Sequence, residues 1–329
     1  MTKTLQDDAD PLQKCLDRVV RSEFGKGLSI TGIERSRSPL SSWYACDVIT
    51  VHLSTGQHFQ VWLKNFGTYR LVKDHMMERR ERELCVYRDL LADANLGIAR
   101  YYGSVWDDSK GTFWLLLEHV NGEILQYHEY PYWVASASWL GRMQRYMGQH
   151  SDRLSDCPVL AEHDRHFFVS TAERALHSVS QLFPSLARNL EEVLGKYDNL
   201  VETLVRQPKT LVHGDYTPRQ IIVDAGSSPA RICPVDWEGA AMGSSLFDLA
   251  ILADGFDGNR LDEILLAYGR ELGNCDVQTF DLDDIKHFAN CVRLHRVMGW
   301  LSRSFEHRYP ESTVTKLLRM AKELANVVS

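Results

Sequence analysis

A two-lobed α+β fold is what this sequence of 329 residues predicts, and three observations predict it. The first third carries short runs of aromatic and β-branched residues separated by turn residues, the pattern of strands. Most of the remainder repeats its apolar residues at helical spacing. Within that helical part the polar loop His213–Gln220 is followed by two short apolar segments around Ala225-Gly-Ser-Ser-Pro229, which read as a hairpin. A strand-rich segment ahead of a helix-rich one makes a cleft between two lobes the expected architecture.

Each element follows from its local pattern. Residues 1–12 form a polar, acidic tail, and Pro11 permits a helix over about 12–24, where its missing N–H costs nothing. Trp43–Leu53 and His58–Lys64 read as strands flanking the turn Ser54-Thr-Gly-Gln57. Residues 74–93 read as a helix with Leu84, Tyr87, Leu90 and Leu91 on one face. Strand character resumes over 98–106 and Thr112–Val120, on either side of Asp107-Asp-Ser-Lys-Gly111, and Asn121-Gly122 then punctuates the chain. Helices are expected over about 132–150, 163–178, 185–206, 245–254, 259–273, 282–305 and 311–328.

Composition narrows the function classes. The formal net charge of −7 leaves no basic surplus to offset phosphates, which argues against a general nucleic-acid binder. It is compatible with a cationic substrate, although an acidic balance is mostly a statement about solubility. The seven cysteines are scattered and include no CxxC, so they read as reduced thiols of a cytoplasmic protein. No apolar run approaches 18 residues, and the polar N-terminus is no signal peptide, so no membrane partner is expected.

The chemistry concentrates in Leu211-Val-His-Gly-Asp-Tyr-Thr-Pro-Arg-Gln220 and Pro234-Val-Asp-Trp-Glu238. A carboxylate in a short polar loop, Asp215, is followed by the carboxamide Gln220 and, after the hairpin, by the carboxylate Asp236. Phosphoryl transfer to a hydroxyl needs such parts: a base for the acceptor proton and hard oxygen ligands for magnesium. The two runs resemble the catalytic segments of the aminoglycoside phosphotransferase/choline kinase family, the small-molecule branch of the protein-kinase-like fold. That family's loop usually reads His-Gly-Asp-x-x-x-x-Asn.

The resemblance implies a small antiparallel-sheet lobe over 1–120 that binds the nucleotide, and a helical lobe over 121–329 that carries the catalytic loop and the acceptor site. It implies Asp215 as the catalytic base, Asp236 and Gln220 as magnesium ligands, and Lys64 as the lysine that holds the nucleotide phosphates. The partner of Lys64 would be Glu83, since Glu-x-x-x-Tyr-x-x-Leu matches the family register, with Glu81 as the alternative. A solvated helix face with pairs such as Glu78–Arg82 and Arg79–Glu83 is the plainer account of that charged run. The Glu118 carbonyl and Val120 amide would bind the adenine edge, with Leu117 behind it, while His213 and Asp248 would brace the catalytic loop. Glu238 reads either as a second carboxylate of the site or as an exposed acid at a strand end. The cofactors implied are ATP, with GTP as the alternative, and Mg2+; the partner is a small-molecule hydroxyl acceptor, and the protein a monomer or homodimer.

Three departures qualify the resemblance. Gln220 stands where the family has Asn, and its extra methylene displaces the ligand oxygen by roughly one bond length, about 1.5 Å. Trp62 shares a strand face with Lys64, where a smaller residue over the adenine is expected. Arg35-Ser-Arg-Ser-Pro-Leu-Ser-Ser42 replaces a glycine-rich phosphate loop. These support a nucleotide-binding regulator or pseudokinase as the alternative to an enzyme. A protein kinase fits poorly, because Asp236-Trp-Glu238 lacks the glycine of Asp-Phe-Gly. For the acceptor, an antibiotic or natural product is expected first, aminoglycoside-like, ahead of choline, homoserine or a sugar. Tyr130, Tyr132, Trp133, Trp139 and Trp300 could line its site, although aromatics at helical spacing are more often core, with Glu129, Asp254 and Asp257 suiting a cation. Arg293, His295 and Arg296 suit an anionic or neutral polyol instead.

Overall fold

Two neighbouring strands set the first layer of the protein. In the computed structural model, which describes residues 9–38, 44–69, 75–273 and 282–328, β2 (Tyr44–Leu53) and β3 (His58–Tyr69) pair antiparallel with Ile49 opposite Val61. Alternation then puts Ile49, Val51, Leu53, Val61 and Leu63 on one face. That face is buried against Leu12, Cys15, Leu16 and Val20 of α1 (Ala9–Glu23). The opposite face of β3 carries Trp62, Lys64 and Phe66. β1 (Ile30–Arg37), β4 (Tyr101–Asp107) and β5 (Thr112–Glu118) complete a five-stranded sheet of order β1-β2-β3-β5-β4. Every pairing in it is antiparallel.

Chain contacts divide the protein into two units, Met1–Glu123 with Ile222–Glu238, and Ile124–Ile221 with Gly239–Ser329. A single cut after residue 120 was the expectation. Instead the hairpin of β9 (Ile221–Asp224) and β10 (Arg231–Pro234) packs with the N-terminal strands, in a small sheet of order β10-β9-β6 with β6 at Glu123–Ile124. One reason is Arg231, which donates to the Gly97 and Ile98 carbonyls at 2.7 and 2.8 Å and to both oxygens of Glu118. The first unit also holds α2 (Met76–Cys85), which continues into a widened turn over Val86–Leu90 where one helix over 74–93 was expected.

The second unit is mainly helical: α3 (Tyr130–Gln149), α4 (Arg165–Leu182), α5 (Pro184–Leu194), α6 (Tyr197–Val205), α7 (Phe247–Leu252), α8 (Gly258–Leu272), α9 (Leu282–Ser302) and α10 (Glu311–Val327). The single helix expected over 185–206 is two, parted at Gly195-Lys196, where glycine's low helix propensity favours a break. α3 packs closely on α8 because Gly141 has no side chain; a Cβ there would lie 2.5 Å from the Tyr268 carbonyl oxygen. A three-stranded sheet of β7 (Ala161–Glu162), β11 (Ala241–Ser244) and β8 (Lys209–Val212) carries the chain into the polar loop after Val212. Among the described residues no helix is long and apolar enough to cross a membrane. The tail expected over residues 1–12 lies outside the described residues up to residue 8, and α1 begins at Ala9.

Candidate active site

In the first unit the site is built on Lys64, which β3 turns away from the core and into a ring of acids. Its ammonium donates to Glu83 of α2 at 2.6 Å and to Asp236. The rings of Tyr44 and Phe66 lie 5.3 Å from the same nitrogen. Lys64 and Glu83 are both buried, and burying a charge is tolerable only when it is paired. Burial disfavours the ammonium, but Asp236, Glu83 and Glu238 together outweigh that and hold the Lys64 pKa well above its ordinary value. Glu83 shares one lysine with Asp236, so burial, against the pull of Lys64, pushes its pKa up to about 7. Glu81, the alternative partner, is only half-buried.

The Asp236–Glu238 segment lies beyond the end of its strand. β10 stops at Pro234, and Asp236 takes φ 67°, a left-handed conformation that is costly for a residue with a side chain. Trp237 is fully buried, its indole N–H donating to the Pro234 carbonyl at 3.3 Å. Arg82 of α2, also buried, donates to the Glu238 carbonyl at 2.8 Å, and Arg79 stands 3.7 Å from the Glu238 carboxylate. The charged run of α2 is therefore not merely a solvated face; Arg79, Arg82 and Glu83 all reach the segment around Asp236. Glu238 is buried, which rules out the exposed strand-end reading. Carboxylate oxygens of Glu83, Asp236 and Glu238 lie within 4.8 Å of one another, a hard-oxygen set whose chemistry suits Mg2+.

The remaining predicted residues of this unit have other partners. Glu118 is tied by its side chain to Arg231 at 2.6 Å and to the Arg100 amide at 3.1 Å. Burial works against its charge, but those bonds keep its pKa below the ordinary value. Val120 is buried two residues on, beyond the end of β5, and Leu117 is buried within it. Trp62 is half-buried with its ring 6.3 Å from that of His119. Arg35 and Arg37, expected in a polar loop, lie instead on β1 and pair with the buried Asp47 at 2.7 and 3.5 Å. Strand pairing of β1 with β2 extends through Arg37, so the loop is shorter than expected; its residues 39–42 lie outside the described residues.

In the second unit the loop after β8 is fixed from below. Asp248 of α7, wholly buried, accepts the backbone amides of His213 at 2.6 Å and Gly214 at 3.0 Å, one on each oxygen. Burial raises the Asp248 pKa to about 7, with Asp215 adding to the rise and the two amides opposing it. Gly214 takes φ 79°, and a Cβ there would lie 2.2 Å from the Gly239 carbonyl oxygen, so only glycine fits. The buried His213 ring accepts the Asp215 amide at Nδ1, 3.3 Å away. Tyr216 anchors the far side, its hydroxyl donating to the Ser136 carbonyl at 3.0 Å and its ring stacking on Trp139. The Asp215 side chain is left exposed at the top of this braced turn, and Gln220 ends the short turn Pro218–Gln220, half-buried.

The acceptor candidates separate into core and surface. Trp139 belongs to the core, and His295 is buried with Nδ1 2.9 Å from the Tyr197 hydroxyl; burial pushes its pKa down to about 3. Neither is free to meet a substrate. Tyr130 and Trp133 pack on Phe256 with ring centroids 5.6 and 5.1 Å away. Asp254, Arg293, Arg296 and Trp300 line a cavity of about 340 Å³ with Met320 and Leu324. Arg293 and Asp254 pair there at 2.6 Å. The contributions of Arg82, Arg79 and Arg231 were not foreseen. Only their place among acids and strand ends hints at them.

With this geometry in hand, the likeness to known proteins is informative. The sequence model of the phosphotransferase enzyme family matches residues 54–287. No curated protein sequence matches the chain. Among solved structures, the GDP complex of an aminoglycoside 2'-phosphotransferase-IIIa mutant superposes with TM-score 0.62 at 14% identity, covering 95% of this chain and 97% of that one. Macrolide 2'-phosphotransferase MphH from Brachybacterium faecium gives 0.57 at 14% identity, with 95% and 98% covered. Choline kinase LicA from Streptococcus pneumoniae gives 0.56 at 14% identity, with 96% and 99% covered. At such identities the likeness speaks for the fold, which is the protein-kinase-like fold of these enzymes.

Proposed function

Since the chain belongs to the phosphotransferase enzyme family, we propose that it is a magnesium-dependent kinase of small molecules, moving the γ-phosphate of ATP or GTP to an acceptor hydroxyl. The observation that carries this reading is the buried Lys64, held by Glu83 at 2.6 Å and by Asp236. A buried lysine kept charged within β3, with two acids around it, suits the binding of phosphate oxygens. On binding, the ammonium would exchange Asp236 for the phosphates, and Glu83 would keep it in place. Asp236, with Gln220 and the neighbouring acid Glu238, would then hold Mg2+. The ion, when bound, supplies charge neutralisation for the transferring phosphate.

Asp215 would accept or orient the proton of the acceptor hydroxyl as its oxygen bonds to the γ-phosphorus. The bond from that phosphorus to the β-γ bridging oxygen breaks, and the diphosphate leaves. Asp248 and His213 contribute by fixing the loop backbone, so that no reorganisation is needed during transfer. The Glu118 carbonyl and the Val120 amide would meet the base of the nucleotide. Known structures of the fold carry GDP with kanamycin, and ADP with hygromycin B, which supports a nucleotide and a hydroxylated natural product as ligands here. The first acceptor class to examine is therefore aminoglycoside-like antibiotics, with choline, homoserine and sugars next. We read the protein as cytoplasmic, a monomer or homodimer, with no nucleic-acid or membrane partner.

A second reading, a nucleotide-binding regulator, draws on Gln220 in place of asparagine and on Trp62 beside Lys64. A magnesium-dependent transfer screen with ATP and GTP over aminoglycosides, macrolides, choline and sugars separates the two. Transfer to one acceptor that disappears in Asp215→Asn establishes the kinase. Nucleotide binding without transfer to any acceptor favours the regulator.

A further inference from the structure

We infer that Arg82 is a positioning residue for the metal-binding carboxylate, acting through the backbone of the Asp236-Trp237-Glu238 segment. This rests on the kinase reading above and adds to it a residue outside the predicted catalytic set. Asp236 sits at φ 67°, so its side chain aims correctly only while the backbone is held in a conformation an L-residue otherwise leaves. Two hydrogen bonds clamp that backbone on either side. Before Asp236, the Pro234 carbonyl receives the Trp237 indole N–H at 3.3 Å. After it, the Glu238 carbonyl receives the Arg82 guanidinium at 2.8 Å.

Without nucleotide, Asp236 has a further anchor in the ammonium of Lys64. Transfer of that ammonium to phosphate removes this anchor at the moment Asp236 must serve as a ligand. The Arg82 bond does not depend on the nucleotide and persists through the exchange. It is also charge-assisted and buried, hence among the stronger hydrogen bonds a carbonyl can receive. α2 therefore presents two neighbouring residues to the site with separate tasks. Glu83 holds the lysine, while Arg82 holds the turn that aims the carboxylate.

The test is calorimetric binding of β,γ-imido-ATP to the full chain, with magnesium and with EDTA. Wild type, Arg82→Met, Arg82→Lys and Asp236→Asn are compared. Outer-shell partners of metal ligands typically change metal affinity by about 10–100-fold. Arg82→Met is expected to lose about 10-fold or more of the affinity gained on adding magnesium, approaching Asp236→Asn, with affinity in EDTA nearly unchanged. Arg82→Lys, which keeps the charge and one donor, is expected to recover part of the loss. A magnesium gain in Arg82→Met equal to wild type overturns the inference. So does an equal loss with and without magnesium, which would mark Arg82 as structural only. If Arg82→Met does not fold, the same ratio in Arg82→Lys decides, and a wild-type ratio there overturns the inference. Should wild type bind nucleotide with no gain from magnesium, the kinase reading fails first and this inference falls with it.

Discussion

Asp248 accepts the backbone amide of His213 at 2.6 Å, so an acid that never faces solvent sets the start of the loop bearing Asp215. Its second oxygen takes the Gly214 amide, leaving both amides of that turn dependent on one carboxylate.

Asp248→Asn should therefore destabilise the protein by about 2–4 kcal/mol, because an amide group replaces one acceptor and faces a backbone N–H. Urea unfolding at neutral pH measures this. The sign of the pH dependence is fixed by the raised pKa of Asp248, about 7 against an ordinary 3.8. Between those values the folded protein holds a proton that the unfolded chain has released, so this contribution is full below the lower value and is lost as pH rises to the upper. Asp248→Asn should remove that component of the slope.

His295 acts in the opposite direction. Its pKa is pushed down from 6.5 to about 3 by burial, so the unfolded chain binds the proton first as pH falls. Stability from this group is complete above 6.5 and declines toward 3. His295→Phe should flatten the acid limb of the stability curve, and an unchanged limb would show that the ring titrates normally.

Lys64→Ala leaves Glu83 buried without its cation, as well as removing the phosphate ligand. A loss of about 3–5 kcal/mol in unfolding free energy is expected from breaking a buried pair. Lys64→Ala/Glu83→Gln should regain part of that stability while nucleotide binding stays lost, which thermal melts and calorimetry resolve separately. No recovery in the double variant would mean that Glu83 does not carry the cost.

Gln220→Asn shortens the side chain by one methylene. If Gln220 is a metal ligand held slightly out of place, the concentration of magnesium needed for half-maximal nucleotide binding should fall several-fold, and Gln220→Ala should raise it. Equal magnesium dependence in all three proteins would remove Gln220 from the ligand set.

How much of this could be read beforehand depended on whether a residue's task was local. Lys64 was legible through the resemblance, as the lysine on an apolar strand, but its burial was not, because alternation only turns it away from the core of Val61 and Leu63. The resemblance, through the register Glu-x-x-x-Tyr-x-x-Leu, put Glu83 ahead of Glu81 as the partner of Lys64. The bracing acid at 248 was legible through the resemblance. Arg82 was not, since its partner is a carbonyl 156 residues away in sequence and any residue supplies a carbonyl. The division of the chain was hidden for a related reason: Arg231 reaches carbonyls at Gly97 and Ile98, which carry no side-chain signature. Trp139 lies in the core, as aromatics at helical spacing more often do, whereas His295, grouped with Arg293 and Arg296 for a polyol, is buried instead.

The hairpin that returns to the first unit also orders events on the ribosome. The sheet and α2 are complete once Glu123 has been made, yet Arg231 and Asp236 follow only after more than a hundred further residues. Until then the Gly97 and Ile98 carbonyls lack their guanidinium and Glu118 lacks its cation, so the nascent first unit must wait with an open flank. A chain stalled before residue 238 should be more readily cut by protease around residues 97–100 than the finished protein.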